Sequence, residues 1–441
     1  MKQTIKRGVL GALAVVVISC QGYADTLSEG GGMADAQSGI HQLIAKAILH
    51  YPSIKQAQNQ VDASSFAIET AQGSRLPTID FDGTYGPERS ESPTISSAGE
   101  SHRNRVRRES SLTLTQSLYD FGANRARINL AKAQSKESQM TQINTREELI
   151  YLVISHAIKM QRFRTLLDNA RENLKAHRTI AELVRKRVSL KVDSAASSNL
   201  IQGRLALAEL KVERYQEQSK SAAVELAKYT GEAPGTLAPL PENLLTVQPQ
   251  YTLQGHPVLR LRKAQVDAAA ANQAEARSAF YPQLGLELVA SQSDDVSGVD
   301  GTSNELGAYL TLQFNLYGGG SDQAAASRQR ALFQAANLAY EEEKANIQTS
   351  LSVAFSGLKV TQGELKYFAS NKREIEKAKE AYGRQYVAGQ RTLFDLLNIQ
   401  SELFNATESY IQASFDEQQK RMDIQFEAGV LEQSVNNSQS R

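Results

Sequence analysis

Two short segments of this sequence are rich in charged residues that could form ion pairs. The segment 86–110 carries five arginines among four glutamates: Arg89, Arg103, Arg105, Arg107, Arg108, Glu88, Glu91, Glu100 and Glu109. The segment 291–305 carries four acids and no base: Asp294, Asp295, Asp300 and Glu305. Opposite charges at short range form ion pairs. A charge-rich segment is usually a solvated loop, and the more specific prediction is that the basic and acidic tips of neighbouring hairpins pair.

Sequence motifs for catalysis and metal binding are absent. There is no phosphate-binding Gly-x-x-x-x-Gly-Lys-Ser/Thr, no nucleophile elbow and no paired histidine. One cysteine and six scattered histidines exclude a disulfide framework and argue against a Cys/His metal site. The net charge of +1 is too small for the basic surface of a nucleic-acid binder. We predict that the protein is not an enzyme, needs no cofactor and binds no nucleic acid.

Residues 1–24 have the pattern of an export signal. An apolar stretch at 9–18 follows three basic residues, Lys2, Lys6 and Arg7. Gly22-Tyr23-Ala24 fits cleavage by signal peptidase I, whereas Val17-Ile18-Ser19-Cys20 resembles a lipobox that would place a lipid on Cys20. The sequence leaves both outcomes open. No later segment has 18 uncharged apolar residues, so no transmembrane helix is predicted.

The chain contains an internal duplication. Asn59-Gln-Val-Asp-Ala63 recurs as Ala264-Gln-Val-Asp-Ala268 at an offset of 205, and 111–119 resembles 309–317 at an offset of 198. The difference falls at about 86–110, where a surface loop tolerates an insertion. We predict a first repeat, a proline-rich linker, a second repeat and a disordered tail, at 25–230, 231–255, 256–430 and 431–441.

Each repeat contains a predicted strand hairpin, at about 77–119 and about 282–317. Apolar and polar residues alternate in these segments, as Ile79 and Phe81 alternate with Asp80 and Asp82. Strands of about ten residues with one apolar and one polar face suit a membrane barrel whose apolar side meets lipid. Four strands are too few to enclose a lumen, so several chains must contribute to the barrel.

Long helices are predicted in both repeats because no proline occurs at 94–233 or 283–441. The expected long and returning helices are 123–189, 195–229, 320–387 and 392–430. A helix over 123–189 would be roughly 100 Å long. Turns are predicted near Lys191 and Gly389, and shorter helices open the repeats at about 38–74 and 256–279.

Several short motifs, taken in order, resemble the TolC family of outer-membrane channel proteins over about 38–430. They are Tyr51-Pro-Ser-Ile54, Leu76-Pro77, Gln116-Ser-Leu-Tyr-Asp-Phe-Gly122, Tyr229-Thr-Gly-Glu-Ala-Pro234, Asn315-Leu-Tyr-Gly-Gly319 and Tyr386-Val-Ala-Gly-Gln-Arg-Thr-Leu-Phe-Asp395. The resemblance implies an α+β membrane protein: a homotrimer whose outer-membrane β-barrel of about twelve strands, four per chain, meets lipid and continues into a long periplasmic α-helical barrel. It also implies a periplasmic adaptor and an inner-membrane ABC transporter or proton-driven pump as partners.

The resemblance further implies a periplasmic gate at the helix turns. Tyr386 and Arg391 would hold the gate closed by hydrogen bonds and a salt bridge to the neighbouring helix pair, and Asp395 would form a threefold acidic ring. Two departures concern the same site. Asn398 stands where some members have a second acidic ring. In the first repeat, Lys191 replaces the glycine found at Gly389, and Ser197 replaces the family aspartate, so that Asp193 or Ser197 would be the partner of the arginine.

The predicted function is the outer-membrane exit duct of a tripartite export system. Type I secretion of large proteins, such as adhesins or RTX-like proteins, is favoured by the gate motif and by the short start, since about 27 residues separate Asp25 from Pro52. The alternative is small-molecule efflux of drugs or metals, whose channels are often lipoproteins with a longer N-terminal extension. A periplasmic structural coiled coil is a remote alternative that the strand hairpins argue against.

Overall fold

The computed structural model describes residues 39–90, 103–294 and 301–439, so the predicted export signal and Cys20 lie outside the described residues. In chain order the helices are α1 (Ile40–His50), α2 (Pro52–Gly73), α3 (Ala123–Ser189), α4 (Ala195–Thr230), α5 (Pro257–Ser278), α6 (Ser321–Val387), α7 (Leu393–Glu427) and α8 (Leu431–Gln439). The strands are β1 (Thr78–Ser90), β2 (Arg103–Tyr119), β3 (Gln283–Asp294) and β4 (Thr302–Gln313). Within the described part of the chain, no helix is both long and apolar enough to cross a bilayer.

The two long helices α3 and α6 both have 67 residues, as their freedom from proline predicts. The helix predicted over 38–74 is instead two helices, because Tyr51 takes an extended conformation before Pro52. Left-handed residues mark the same three turns in each repeat: Gly122, Lys191 and Gly231 in the first, Gly320, Gly389 and Gly429 in the second. Each pair is 198 positions apart, as expected for a duplicated unit.

The two hairpins join into one antiparallel sheet in the order β1-β2-β3-β4. The register places Leu112 beside Phe81 on one side and Ala290 on the other, so the apolar residues of neighbouring strands share a face. That face is uncovered: Phe81 is 72% exposed and Leu310 is 67% exposed. The sheet therefore has an exposed apolar face, and β1 and β4 are its open edges.

The predicted ionic contact between the charged segments is confirmed at one pair. Arg108 of β2 lies 3.9 Å from Asp294 of β3, measured between Nη1 and Oδ2. Arg107 pairs instead with Glu109 on its own strand. Of the other charged residues in these segments, four lie outside the described residues: Glu91, Glu100, Asp295 and Asp300.

Packing between helices joins the two repeats. Helix α2 packs along the part of α3 nearer the strands, and α4 packs along the part nearer the far turn. In the second repeat, α7 packs along α6 as α4 packs along α3. Helix α5 packs against both α3 and α6, and α3 also packs against α7. The largest apolar core lies where α1, α3, α4, α7, α8 and the linker meet, and includes Ile44, Ile150, Ile154, Leu226, Leu244, Met422 and Leu431.

The prediction of a disordered tail is wrong for Leu431–Gln439, which form α8. Leu431 and Val435 of this helix are buried in the main core. The carboxylate of Glu147, on α3, accepts hydrogen bonds from the backbone N–H groups of Leu431 at 2.8 Å and Glu432 at 3.1 Å. This side chain satisfies the first turn of α8 as an N-cap does. The sequence of residues 431–441 does not by itself predict this helix, because the acid that caps it lies in another helix.

Candidate gate at the helix turns

The candidate site lies at the turns that join α3 to α4 and α6 to α7. Lys191 has φ 59° and Gly389 has φ 77°, so both turns use one left-handed residue at the predicted position. Lys191 donates its backbone N–H to the carbonyl of Val188 at 2.9 Å, which closes the end of α3. A residue with a Cβ in this conformation costs roughly 1–2 kcal/mol, and glycine avoids that cost.

Tyr386 joins the second helix pair to the first turn. Its side chain is 1% exposed, and its hydroxyl donates a hydrogen bond to Asp193 Oδ2 at 2.8 Å. The same carboxylate oxygen accepts a hydrogen bond from Arg187 Nε at 2.9 Å, and the Arg187 guanidinium lies 4.8 Å from the centre of the Tyr386 ring. We call Arg187, Asp193 and Tyr386 the tip latch. It connects α6 to the α3–α4 turn through side chains.

The protonation states of the tip latch follow from its burial and its hydrogen bonds. Burial, together with the hydrogen bond to Asp193, raises the pKa of Tyr386 to about 12. Burial also acts to raise the pKa of Asp193, but the hydrogen bonds from Arg187 and Tyr386 outweigh it and lower this pKa below its ordinary value. A neutral phenol therefore donates to an ionised carboxylate, which is the stronger, charge-assisted kind of hydrogen bond.

Arg391 makes its contacts within its own helix pair. Its Nε donates a hydrogen bond to Gln385 Oε1 at 3.2 Å, and its guanidinium lies 4.3 Å from the centre of the Tyr382 ring. The expected salt bridge of Arg391 to the neighbouring helix pair is not formed among the described residues of one chain. Asp193 instead binds Arg187 and Tyr386.

The contacts across the two turns occupy equivalent positions. Gln385 and Arg391 stand 198 positions after Arg187 and Asp193, so a side-chain hydrogen bond spans each turn between the same two positions. In the first repeat the arginine precedes the turn and its partner is a carboxylate. In the second repeat the arginine follows the turn and its partner is a neutral amide. The contact thus pairs opposite charges at the first turn, whereas at the second turn the arginine donates its hydrogen bond to an uncharged group.

The remaining predicted residues lie in the first turns of the returning helices or just beyond. Asp395 Oδ2 accepts hydrogen bonds from the backbone N–H of Thr392 at 3.1 Å and from its hydroxyl at 2.8 Å, and these bonds lower the pKa of Asp395. Asp395 thus completes a capping box at the start of α7. Asn398 Oδ1 accepts a hydrogen bond from Arg204 of α4 at 3.2 Å. Ser197, equivalent to Asp395, donates its backbone N–H to Ser194 at 3.0 Å.

Apolar packing supports the tip latch. Behind it the two helix pairs share buried side chains: Ile180, Val184, Ile201, Leu393, Leu396 and Leu397. Further from the turns, Gln400 of α7 donates a hydrogen bond to Asn173 Oδ1 of α3 at 3.0 Å, and both side chains are buried. The contacts that join the helix pairs of the two repeats near the turns therefore include the tip latch, the Arg204–Asn398 hydrogen bond, the apolar cluster and this amide pair.

Sequence reasoning missed Arg187, Gln385 and Arg204. Arg187 lies six positions before Asp193, and the turn between them brings the two side chains together. Gln385 and Arg391 have the same six-residue spacing across the equivalent turn of the second repeat, and this repetition could have predicted the contact. Within the described ranges, no group of three or more His, Cys, Asp or Glu side chains is placed to bind a metal ion.

The long helices, the sheet and the turns have the arrangement expected of an outer-membrane channel protein. Residues 43–232 and 249–429 match the family model described as outer membrane efflux protein, and the chain belongs to this family. Its members are outer-membrane channel components of tripartite systems. The family match confirms the predicted class, the outer-membrane location and the absence of enzymatic function.

Individual relatives agree with this assignment. The chain is 24% identical over 319 residues to the outer membrane efflux protein BepC of Brucella suis, covering 69% of this chain and 68% of BepC. It is 23% identical over 407 residues to protein CyaE of Bordetella pertussis, covering 89% of this chain and 84% of CyaE. The fold is similar to that of a membrane protein from Pseudomonas aeruginosa, with a TM-score of 0.77, 20% identity, and coverage of 88% of this chain and 93% of that chain.

Proposed function

We propose that several copies of this chain close into a ring that forms the exit duct through the outer membrane. The sheet supports this proposal, because its four strands leave β1 and β4 as edges and are too few to enclose a lumen. Three copies would supply about twelve strands, within the range of membrane barrels. A homotrimer is also the assembly that the resemblance to the TolC family implies.

The helices support the same ring. Within the chain, α5 packs against both α3 and α6, whereas α2, which opens the first repeat as α5 opens the second, packs against α3. If α2, like α5, packs against two long helices, its second partner is α6 of another copy. Helix α6 has the surface for this contact: five of its residues are buried, against 22 in the equally long α3. Its exposed apolar side chains include Leu338, Val353, Val360 and Tyr367.

We assign the closed state of the duct to the tip latch. The hydrogen bond from Tyr386 to Asp193 is the single observation that carries this assignment, since it ties the helix pair of the second repeat to the turn of the first. A duct needs no chemistry of its own, and a partner in the inner membrane supplies the energy. A periplasmic adaptor and an ABC transporter or proton-driven pump are the partners that we propose.

For the cargo, we propose proteins exported by type I secretion. The segment from Tyr386 to Asp395, with its left-handed Gly389 and its Asp395 capping box, carries this choice through its resemblance to the TolC family. Efflux of small molecules is the second candidate. The family and BepC are both known as outer membrane efflux proteins, which favours it.

Deletion of the gene, followed by mass spectrometry of surface and culture-medium proteins, tests the cargo. Type I secretion predicts the loss of one or a few large proteins, restored when the parent chain is expressed again. A restored strain carrying a substitution at an exposed residue before α6, far from the tip latch, Tyr317→Phe, is the matched control. An unchanged protein profile, together with increased sensitivity to toxic small molecules, would refute protein secretion and favour efflux.

A further inference from the structure

A buried amide pair lies in the contact between α3 and α7. Gln400 is 4% exposed and Asn173 is 8% exposed, and Gln400 Nε2 donates to Asn173 Oδ1 at 3.0 Å. The pair lies between two apolar clusters, one around Val184 and Leu397 and the other around Leu167 and Phe404. A buried amide in an apolar helix contact reduces stability but fixes the partner and the register of the helices.

The same two residue types recur at the equivalent positions of the other helices. The offset of 198 that relates all three turns takes Asn173 of α3 to Asn371 of α6, and takes Gln400 of α7 back to Gln202 of α4. Because α3 and α6 have equal lengths and no insertion separates the turns, these positions share a level along the helices. Asn371 and Gln202 are both exposed in the single chain.

The ring of copies gives these exposed amides a partner, so this step rests on the proposed duct. In the chain, α3 of the first repeat contacts α7 of the second. Continued around a ring, the same contact places α6 of one copy on α4 of the next copy. We propose that Asn371 and Gln202 form, across the interface between two copies of this chain, the amide pair that Asn173 and Gln400 form within each copy. The closed helical barrel then carries a ring of alternating internal and intersubunit amide pairs at one level.

The side chains nearer the turns differ between the internal contact and the proposed intersubunit contact. Within the chain, Val184 of α3 is buried with Leu396 and Leu397 of α7. The equivalents of these three residues on the intersubunit side are Tyr382, Ser198 and Asn199. The apolar packing that aligns the helices inside each copy is therefore replaced by polar groups between copies. A specific hydrogen-bonded pair at the edge of this polar stretch fixes the register that apolar packing fixes elsewhere.

Cross-linking of introduced thiols in the purified full chain tests the proposal. Cys20 is the sole cysteine of the sequence and lies in the segment predicted to be cleaved off or lipid-modified, so it offers no competing free thiol. The variant Asn371→Cys with Gln202→Cys, treated with a short bifunctional thiol reagent, should give covalent dimers and trimers on denaturing gels. The variant Asn173→Cys with Gln400→Cys should give an internal cross-link and run as a single chain.

An off-register variant supplies the matched control. Asn371→Cys with Glu209→Cys moves one thiol seven positions along the same face of α4, about 10 Å, and should cross-link about tenfold less. Equal cross-linking of the two intersubunit pairs, or none in either, would overturn the amide pairing. Native mass spectrometry of the parent chain separates this failure from failure of the proposed duct: an oligomeric parent leaves the duct standing, and a monomeric parent removes both.

Discussion

Replacing Tyr386 by phenylalanine should open the resting duct. The substitution removes one hydroxyl and its hydrogen bond to Asp193 while leaving the buried ring in place. The ring keeps its packing in the apolar cluster and its contact with the Arg187 guanidinium. The tip latch is therefore weakened at one bond, without a cavity in the core behind it.

The size of the effect follows from the charge of the acceptor. A hydrogen bond to an ionised group contributes about 1.5–3 kcal/mol. The Asp193 carboxylate keeps its bond to Arg187, and its side chain is 15% exposed, so water can replace part of the lost interaction. We therefore take the lower end of that range, which corresponds to about a tenfold rise in the ratio of open to closed states for each chain.

Conductance of the purified protein in planar lipid bilayers measures this ratio. The Tyr386→Phe channels should show more frequent or longer openings at rest than the parent. Tyr317→Phe, which removes a hydroxyl from an exposed tyrosine just before α6, at the end far from the tip latch, is the matched control and should behave as the parent. Resting traces of Tyr386→Phe that match the parent, in a protein of unchanged melting temperature, would show that the tip latch does not hold the duct closed.

Three further predictions concern the turns and the helix contact. Arg391→Ser should raise resting conductance if Arg391 locks the gate to a neighbouring copy, since among the described residues of one chain it contacts its own helix pair; an unchanged conductance would mean that Arg391 does not lock the gate. Gly429→Ala should lower the free energy of unfolding by at least about 1–2 kcal/mol, because Gly429 has φ 65° and a Cβ there would lie 2.4 Å from Pro257 Cδ; thermal unfolding beside Gly363→Ala, whose added Cβ meets nothing within 4 Å, checks it. Burial, and to a smaller extent Arg204, lowers the pKa of His177, so acidification below about pH 6.5 should favour separated helix pairs and raise conductance. His177→Gln should abolish that pH dependence if His177 is its source.

The long elements were predictable because local signals define them. Absence of proline over 94–233 and 283–441 allowed unbroken helices, and the helix predicted at about 123–189 is α3. Strict alternation located the strands within the predicted hairpins, since the side-chain period of a strand is two. Helix α8 was missed because its N-terminal N–H groups are capped by Glu147, which belongs to α3.

The site was predictable only where a motif carried it. Tyr386 and Asp193 were both named from the sequence, and the structure joins them by a hydrogen bond. Arg187 was missed because its contact with Asp193 depends on the left-handed turn at Lys191, a conformation that a lysine does not signal. The contact of Arg204 with Asn398 depends on how two helix pairs pack, which residue spacing along one chain does not specify.

The duplicated backbone and its unequal turns together indicate which helix pair moves. At the first turn, the ion pair between Arg187 and Asp193 closes the end of α3 within one helix pair, so this turn stays intact when the pairs separate. At the second turn, the hydrogen bond of Arg391 goes to the neutral amide of Gln385, and the turn residue is glycine. Opening must then break the hydrogen bond from the Tyr386 hydroxyl to Asp193, which runs from α6 to the other pair, as well as the bond between Arg204 and Asn398. We therefore expect α6 and α7 to be the moving pair and the turn between α3 and α4 to be its fixed support.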